Sequence, residues 1–291
     1  AMGLNIIFGI DTTMGAAISG IIGILLFAFK KMGGVLDTTA KLLGVVMLVL
    51  IAYVACVTNP PVGEAVSHVL MPDQIPWLAT VTLIGGTVGG YITFSGGHRL
   101  IDAGVTGIEH LKDVRRAAFM GLSVDALVRI LLFLAVLGVV SMGFTLDAKN
   151  PAGSAFLLGA GQVGHLIFGL VFFCAALTSV VGAAYTSVSF LKTLFKVVEK
   201  YEKLTIMAFI FISTCILIGL GKPAALLIVA GSLNGLILPI TLAVMLVATH
   251  KKEIVGTYKH NRLLYWAGWI VVLVTAYMGI TSLQGMSKLL G

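Results

Sequence analysis

Six glycines, Gly85, Gly86, Gly89, Gly90, Gly96 and Gly97, interrupt the apolar stretch 77–101 and share it with the hydroxyls of Thr87, Thr93 and Ser95. A bilayer interior holds no water for freed N–H and C=O groups, so a helix broken there survives only against protein or a wet cavity. In transporters such breaks lie at the substrate site. The sequence therefore predicts a discontinuous helix at about 77–97. A carbonyl from Gly86 together with these hydroxyls suits a hard cation, a hydrated ion or a polar organic group. The plainer reading is that the glycines serve close helix packing, since membrane interfaces favour small residues.

Other polar residues also fall in apolar surroundings. Asp125 and Arg129 stand four apart on one helical face, where opposite charges pair. At 1.5 Å per residue they sit roughly 13 Å and roughly 20 Å beyond Arg116, deep enough to need each other. Intramembrane ionisable residues serve as proton relays and gates; a static pair that lets the helix carry both charges is the alternative. Asn234 lies near mid-span between Ser232 and Gly235, where an amide either bonds to a neighbouring helix or meets substrate. His98 and Arg99 follow the last glycine pair, either as a cytoplasmic vestibule or as interfacial anchors. His165 opens a later span, and the hydroxyls of Thr178 and Ser179 inside it are of the kind that bond to neighbouring backbone. Cys56, Cys174 and Cys215 each fall in a different span without metal-ligand spacing and read as small buried hydrophobes. No His-Glu-x-x-His, Gly-x-Ser-x-Gly or paired-carboxylate arrangement argues for an enzyme, and no phosphate-binding loop for ATP hydrolysis.

The elements that must position these residues are membrane helices. Hydrophobic residues make up 58% of the chain and charged ones 11%, with a mean hydropathy of +1.07, whereas a soluble domain carries about 25% charged residues. Eight apolar segments are long enough to span, near 11–29, 38–58, 77–97, 117–143, 162–191, 204–220, 223–249 and 264–285. Alternating ten-residue runs are absent, which argues against an outer-membrane barrel. The expected class is an all-α polytopic membrane protein with eight transmembrane helices.

A net charge of +7 raises the question of nucleic acid, and its placement answers it. Of 19 Lys and Arg, 15 fall in the odd-numbered connections, three in the others or the C-terminus, and Arg129 within a span. The positive-inside rule then makes the odd-numbered connections cytoplasmic and both chain ends external, in a cell membrane. The start, AMGLNIIFGID, lacks the basic region of a signal peptide, so earlier spans are expected upstream. Between spans, residues 59–77 hold four prolines and read as an external loop with a short surface helix. Residues 102–116 form a polar cytoplasmic lead into the next span, 199–204 a tight turn, and 250–262 the last internal loop.

GLNIIFGI with its following span, then KKMGGVLDTTAKLLGVVMLVLIAYV, resemble the fourth and fifth helices of the NRAMP family of proton-coupled divalent-metal transporters. IGGTVGGYITFSGG stands where that family's sixth helix carries Ile-Gly-Ala-Thr-Val-Met-Pro-His. GLVFFCAALTSVVGAAYTS is similar to its eighth helix, and AGSLNGLILPITL to its tenth, which ends in Leu-Pro. The resemblance covers essentially the whole chain. It implies part of a LeuT-like fold of two inverted five-helix repeats within a single transmembrane domain, 1–291. Residues 1–58 would be the remainder of the first repeat, 77–249 the second repeat, and 264–285 an additional C-terminal helix. Helices one to three, with the Asp-Pro-Gly-Asn motif of the first, would lie upstream.

On this resemblance the family's coordinating Met falls on Gly89, the following Pro on Gly90 and the His on Tyr91. Gly86 replaces an Ala whose backbone carbonyl faces the metal, so that carbonyl is the one metal contact carried over. The family's Gln in the tenth helix aligns with Gly231, and Asn234 would substitute from one turn further on. The soft thioether that favours transition metals is lost. The implied substrate site is thus Gly86, Thr87, Gly89, Gly90, Tyr91, Thr93 and Asn234, with Asp125, Arg129 and His98 as proton or gating candidates. The leading expectation is a secondary transporter of a divalent cation or related small polar solute, coupled to protons by alternating access. An amino-acid or organic-acid carrier of the LeuT-like superfamily, or a truncated membrane protein without transport, are the alternatives. The expected partners are the solute, protons and the lipid bilayer, with no cofactor and no nucleic acid.

Overall fold

The computed structural model describes residues 1–28 and 33–290, without the side chains of residues 28–41, 90, 93, 94, 99 and 283–290. Thr93 and the flanking cations Lys30, Lys31, Lys41, Arg99 and Lys288 therefore lie outside the described residues or side chains. Among the described residues every regular element is a helix. In chain order they are α1 (Met2–Phe8), α2 (Thr12–Ala28), α3 (Gly33–Thr58), α4 (Val62–Leu70), α5 (Trp77–Val88), α6 (Gly90–Asp102) and α7 (Leu111–Ser141), then α8 (Pro151–Lys192), α9 (Lys196–Lys200), α10 (Glu202–Leu220), α11 (Pro223–Ala248), α12 (Lys252–Val255) and α13 (Arg262–Leu290).

α7, α8, α10, α11 and α13 are each long and apolar enough to cross a membrane. Two bent pairs bring the candidates to seven: Met2–Phe8 with Thr12–Phe27, bent by 112°, and Leu42–Thr58 with Val62–Leu70, bent by 103°. The remaining expected segment, 77–97, is cut by Gly89 into helices of 12 and 13 residues. The protein is an all-α polytopic membrane protein. Its outer surface is rich in exposed large apolar side chains, as a chain solvated by hydrocarbon requires. Backbone and hydroxyl groups are served internally instead. Thr58, Thr186, Ser187, Thr214 and Ser232 each bond back to a carbonyl four residues earlier.

The chain forms two compact units, 1–72 with 111–223, and 73–110 with 224–291. In the first, α3, α7 and α8 meet around Leu50, Ile51, Val54, Ala135, Val139 and Phe156. Phe156 stacks on Phe168 at 4.4 Å, and Phe168 on Phe172 at 5.2 Å. That stack is possible because α8 is folded back at Gly161, whose φ of 66° is open to glycine and costly for other residues. Asn150 caps the segment before the kink by accepting from the Gly153 N–H at 3.0 Å. His165, just after the kink, bonds through Nδ1 to the Gly153 carbonyl at 2.8 Å. A straight helix would hold two residues twelve apart roughly 18 Å apart. The span expected from residue 162 thus begins at the kink, and the ten residues before it form a helix of their own.

One expectation is corrected. Cys56 and Cys215 are exposed and Cys174 half-buried, where all three read as buried. In a bilayer an outward position is itself apolar, so a small apolar side chain does not have to turn inward.

Candidate functional site

In the second unit, α5 starts beneath an aromatic contact, Trp77 edge-on to Tyr277 of α13 at 5.6 Å. It then crosses α11 with no side chain between the backbones. A Cβ on Gly85 would overlap the Gly231 carbonyl oxygen and the Gly235 nitrogen. One on Gly235 would stand 2.6 Å from the Val81 carbonyl oxygen, and one on Gly231 3.0 Å from that of Thr82. The Thr82 and Ser232 hydroxyls share a hydrogen bond of 2.7 Å across the same crossing. With no hydrophobic force between helices in lipid, such backbone approach and hydrogen bonding supply the cohesion.

The crossing accounts for part of the glycine-rich stretch as packing, beside the discontinuous helix expected at about 77–97. Gly85 is a contact residue, and Gly96 and Gly97 are helical within α6. The break is confined to Gly89, with φ 64° and ψ 85°, between the last residue of α5 and the first of α6. The final carbonyls of a helix have no donors within it, and Gly86 stands in the last turn of α5. Gly86 and Thr87 are exposed, and the space where a Gly86 side chain would stand is open. Thr87 Oγ1 donates to the Leu83 carbonyl and keeps its lone pairs for another group. Ser95 turns inward, fully buried, and donates to the Ile92 carbonyl at 3.2 Å.

Gly90 opens α6, and Tyr91 and His98 are half-buried on it. Asn234, next in sequence to the contact residue Gly235, is half-buried, and among the described residues its amide makes no hydrogen bond. The structure therefore brings Gly86, Thr87, Gly89, Gly90 and Asn234 to one unit, around and just beyond one helix crossing. Asp125 and Arg129 belong to the other unit, where Arg129 Nε donates to Asp125 Oδ2 at 2.8 Å. Sequence reasoning missed the Thr82–Ser232 pair and the role of Gly85. Their signal was present as Gly231-x-x-x-Gly235, the small-residue spacing of a close helix crossing. The same crossing is tight at Gly231, where a Cβ would press on the Thr82 carbonyl oxygen and the Thr82 side chain.

The available donors are neutral oxygens: a carbonyl, a hydroxyl and an amide. Among the described residues no three His, Cys, Asp or Glu side chains cluster to hold a metal. Oxygen donors of this kind suit hard cations. The two helix ends facing the break also carry opposite partial charge, negative at the end of α5 and positive at the start of α6.

Apolar helices broken at left-handed glycines, here at Gly89 and at Gly161, recur in membrane transporters. The chain matches the family described as natural resistance-associated macrophage protein-like over residues 1–284, and it belongs to that family. Its members transport divalent metal cations. The chain is 51% identical over 282 residues to the uncharacterized membrane protein YcsG of Bacillus subtilis, a match covering 97% of this chain and 70% of that one. It is 52% identical over 277 residues to an uncharacterized membrane protein of Haemophilus influenzae, covering 95% of this chain and 70% of that protein.

Proposed function

We propose that the protein is a secondary transporter that moves a divalent metal cation, coupled to protons, by alternating access about the Gly89 break. The supporting observation is the left-handed break at Gly89, in the unit that also holds the exposed Gly86 and Thr87 and the half-buried Asn234, residues whose donors are neutral oxygens. Such donors offset little of the cost of stripping a divalent ion, so the cargo keeps much of its water shell. The part of a LeuT-like fold implied by the sequence supplies the moving bundle. The odd-numbered connections face the cytoplasm of a cell bounded by the membrane in which the protein sits. His98 and the Asp125–Arg129 pair are the proton and gating candidates.

A second reading is favoured by the start of α6. A half-helix N-terminus at the break attracts anions, so a small carboxylate, such as an amino acid or organic acid, would sit there with its polar remainder on the carbonyls of α5. Reconstituted vesicles separate the two. Under an inward proton gradient, uptake is measured for Mn²⁺, Mg²⁺ and Ca²⁺ beside a series of carboxylates. The expected result is metal uptake that collapses when a protonophore is added. Failure of every metal to enter or compete, with uptake of a carboxylate, would replace the metal reading with the second. No uptake of any solute would favour a membrane protein without transport.

Asn234→Ala provides a sharper check on the site. Its amide is not committed to another helix, so removal should leave the melting temperature within about 1 °C, in line with the small effect of losing no buried contact. The substrate concentration for half-maximal uptake should rise about tenfold, the value of one lost polar contact of roughly 1.4 kcal/mol. A large fall in melting temperature with unchanged uptake kinetics would reassign Asn234 to helix packing.

A further inference from the structure

Thr82 and Gly85 stand three apart on α5, and Ser232 and Gly235 three apart on α11, so on each helix a hydroxyl and a glycine share one face. The fold sets these two faces together. One hydroxyl donates to the other across the crossing at 2.7 Å, and the second donates to its own helix, at the Leu78 or the Ile228 carbonyl. Ser232 is fully buried there. One turn further on, Gly85 meets the Gly231 carbonyl and the Gly235 nitrogen, main chain on main chain.

A third helix joins this pair. A Cβ on Gly279 of α13 would stand 2.9 Å from Leu236 Cδ2, and one on Gly268 2.8 Å from Leu246 Cδ2, so α13 seats closely on α11. Its Tyr277 also holds Trp77 at the start of α5. Packed helices slide past one another by readjusting the side chains between them, and a close-packed contact resists continuous deformation. Where glycine backbones touch, there is no side chain to readjust. Gly89, with φ 64° and ψ 85°, is where the chain leaves this arrangement, in a conformation open to glycine. Gly86 directly follows the contact residue Gly85, and Asn234 directly precedes the contact residue Gly235.

We infer that α5, α11 and α13 move as one body during transport, and that Thr82, Gly85, Ser232 and Gly235 are positioning residues that hold Gly86 and Asn234 at one fixed spacing. The inference rests on the transport reading above. Substrate affinity is then set by main-chain contact and one hydroxyl pair, neither of which touches the substrate. Alternating access turns α6 about Gly89 instead of moving α5 over α11, because the glycine hinge is the one joint between α5 and α6.

The test uses the full chain in vesicles with Cys56→Ala, Cys174→Ala and Cys215→Ala. Hydroxyl oxygens 2.7 Å apart place the sulfurs of Thr82→Cys with Ser232→Cys within reach of a disulfide. Oxidised to completion, as counted by thiol labelling, this protein should take up solute as fast as the same protein reduced. At one pH the disulfide should form at one rate with and without Mn²⁺, Mg²⁺ or Ca²⁺. Uptake that stops on oxidation and returns on reduction overturns the inference, as does a rate of cross-linking that changes with the metal. Thr82→Val with Ser232→Ala removes the bond without adding bulk. The solute concentration for half-maximal uptake should then rise about threefold at an unchanged maximal rate, the value of one interhelical hydrogen bond. Thr82→Ser, which keeps the hydroxyl, should avoid that rise. A lower melting temperature with the same half-maximal concentration overturns the positioning role and leaves the pair as packing. Wild-type protein that takes up no solute ends the transport reading, and the coupling of α5 to α11 is then decided by the cross-linking rates alone.

Discussion

Gly85→Ala is expected to cost at least about 3 kcal/mol and to separate α5 from α11, the tightest backbone approach at any described glycine. The usual penalty for overpacking is about 1–3 kcal/mol, because neighbouring side chains give way. At Gly85 the obstacles are the Gly231 carbonyl and the Gly235 amide nitrogen, both main-chain atoms of a helix. Relief therefore requires the whole of α11 to move, which would also break the 2.7 Å bond between Thr82 and Ser232. Gly86→Ala, one residue on, meets nothing within 4 Å. Replacing a helical Gly with Ala there should be neutral or stabilising by about 0.5–1 kcal/mol. Melting temperatures of the two variants in one detergent decide the matter. Equal values would mean that the α5–α11 crossing is not as close as the structure has it.

The contrast between these neighbours shows what the sequence could and could not disclose. Helix positions were readable because a bilayer imposes one requirement, a long enough apolar run, and α10 and α11 begin and end within two residues of expectation. The doubled glycines could not be sorted in the same way. Gly85, Gly89 and Gly97 look alike in sequence, yet one is a contact, one a break and one an ordinary helical position. What separates them is the partner: Gly85 faces α11, and only the fold brings residues 85 and 231 together. The fold-back at Gly161 was hidden for a similar reason. Its stabilising contacts, Phe156 on Phe168 and His165 on the Gly153 carbonyl, exist only once the chain has reversed.

The helix break was legible in location, and the surroundings of its residues less so. The break was expected within 77–97 and lies at Gly89. Gly86 and Asn234 were selected through a family resemblance, and in the fold they belong to the same unit, at a helix crossing that the resemblance alone did not reveal. Ser95 was grouped with the hydroxyls of the break and is instead fully buried. On a helix, residues six apart project in quite different directions, so a polar run through α6 cannot all face one side.

Gly89→Ala is expected to lower the initial rate of solute uptake about tenfold or more while costing the protein no more than about 1–2 kcal/mol of stability. With φ 64° and ψ 85°, residue 89 sits where a Cβ costs about 1–2 kcal/mol. An Ala there raises the energy of the broken state and leaves the continuous helix unpenalised. Closing the break would return the last carbonyls of α5 to donors at the start of α6, making a helix that satisfies its own backbone in lipid. The population with the Gly86 carbonyl released would fall by about the factor that 1–2 kcal/mol implies, and uptake would fall with it. Melting temperature should fall by no more than about a few degrees, because the penalty on the broken state is at most about 1–2 kcal/mol. The measurement is uptake per reconstituted protein, beside the melting curve of the same preparation. Wild-type uptake from a protein of wild-type stability would show that substrate does not bind at Gly89, and the search would move to the ion pair on α7.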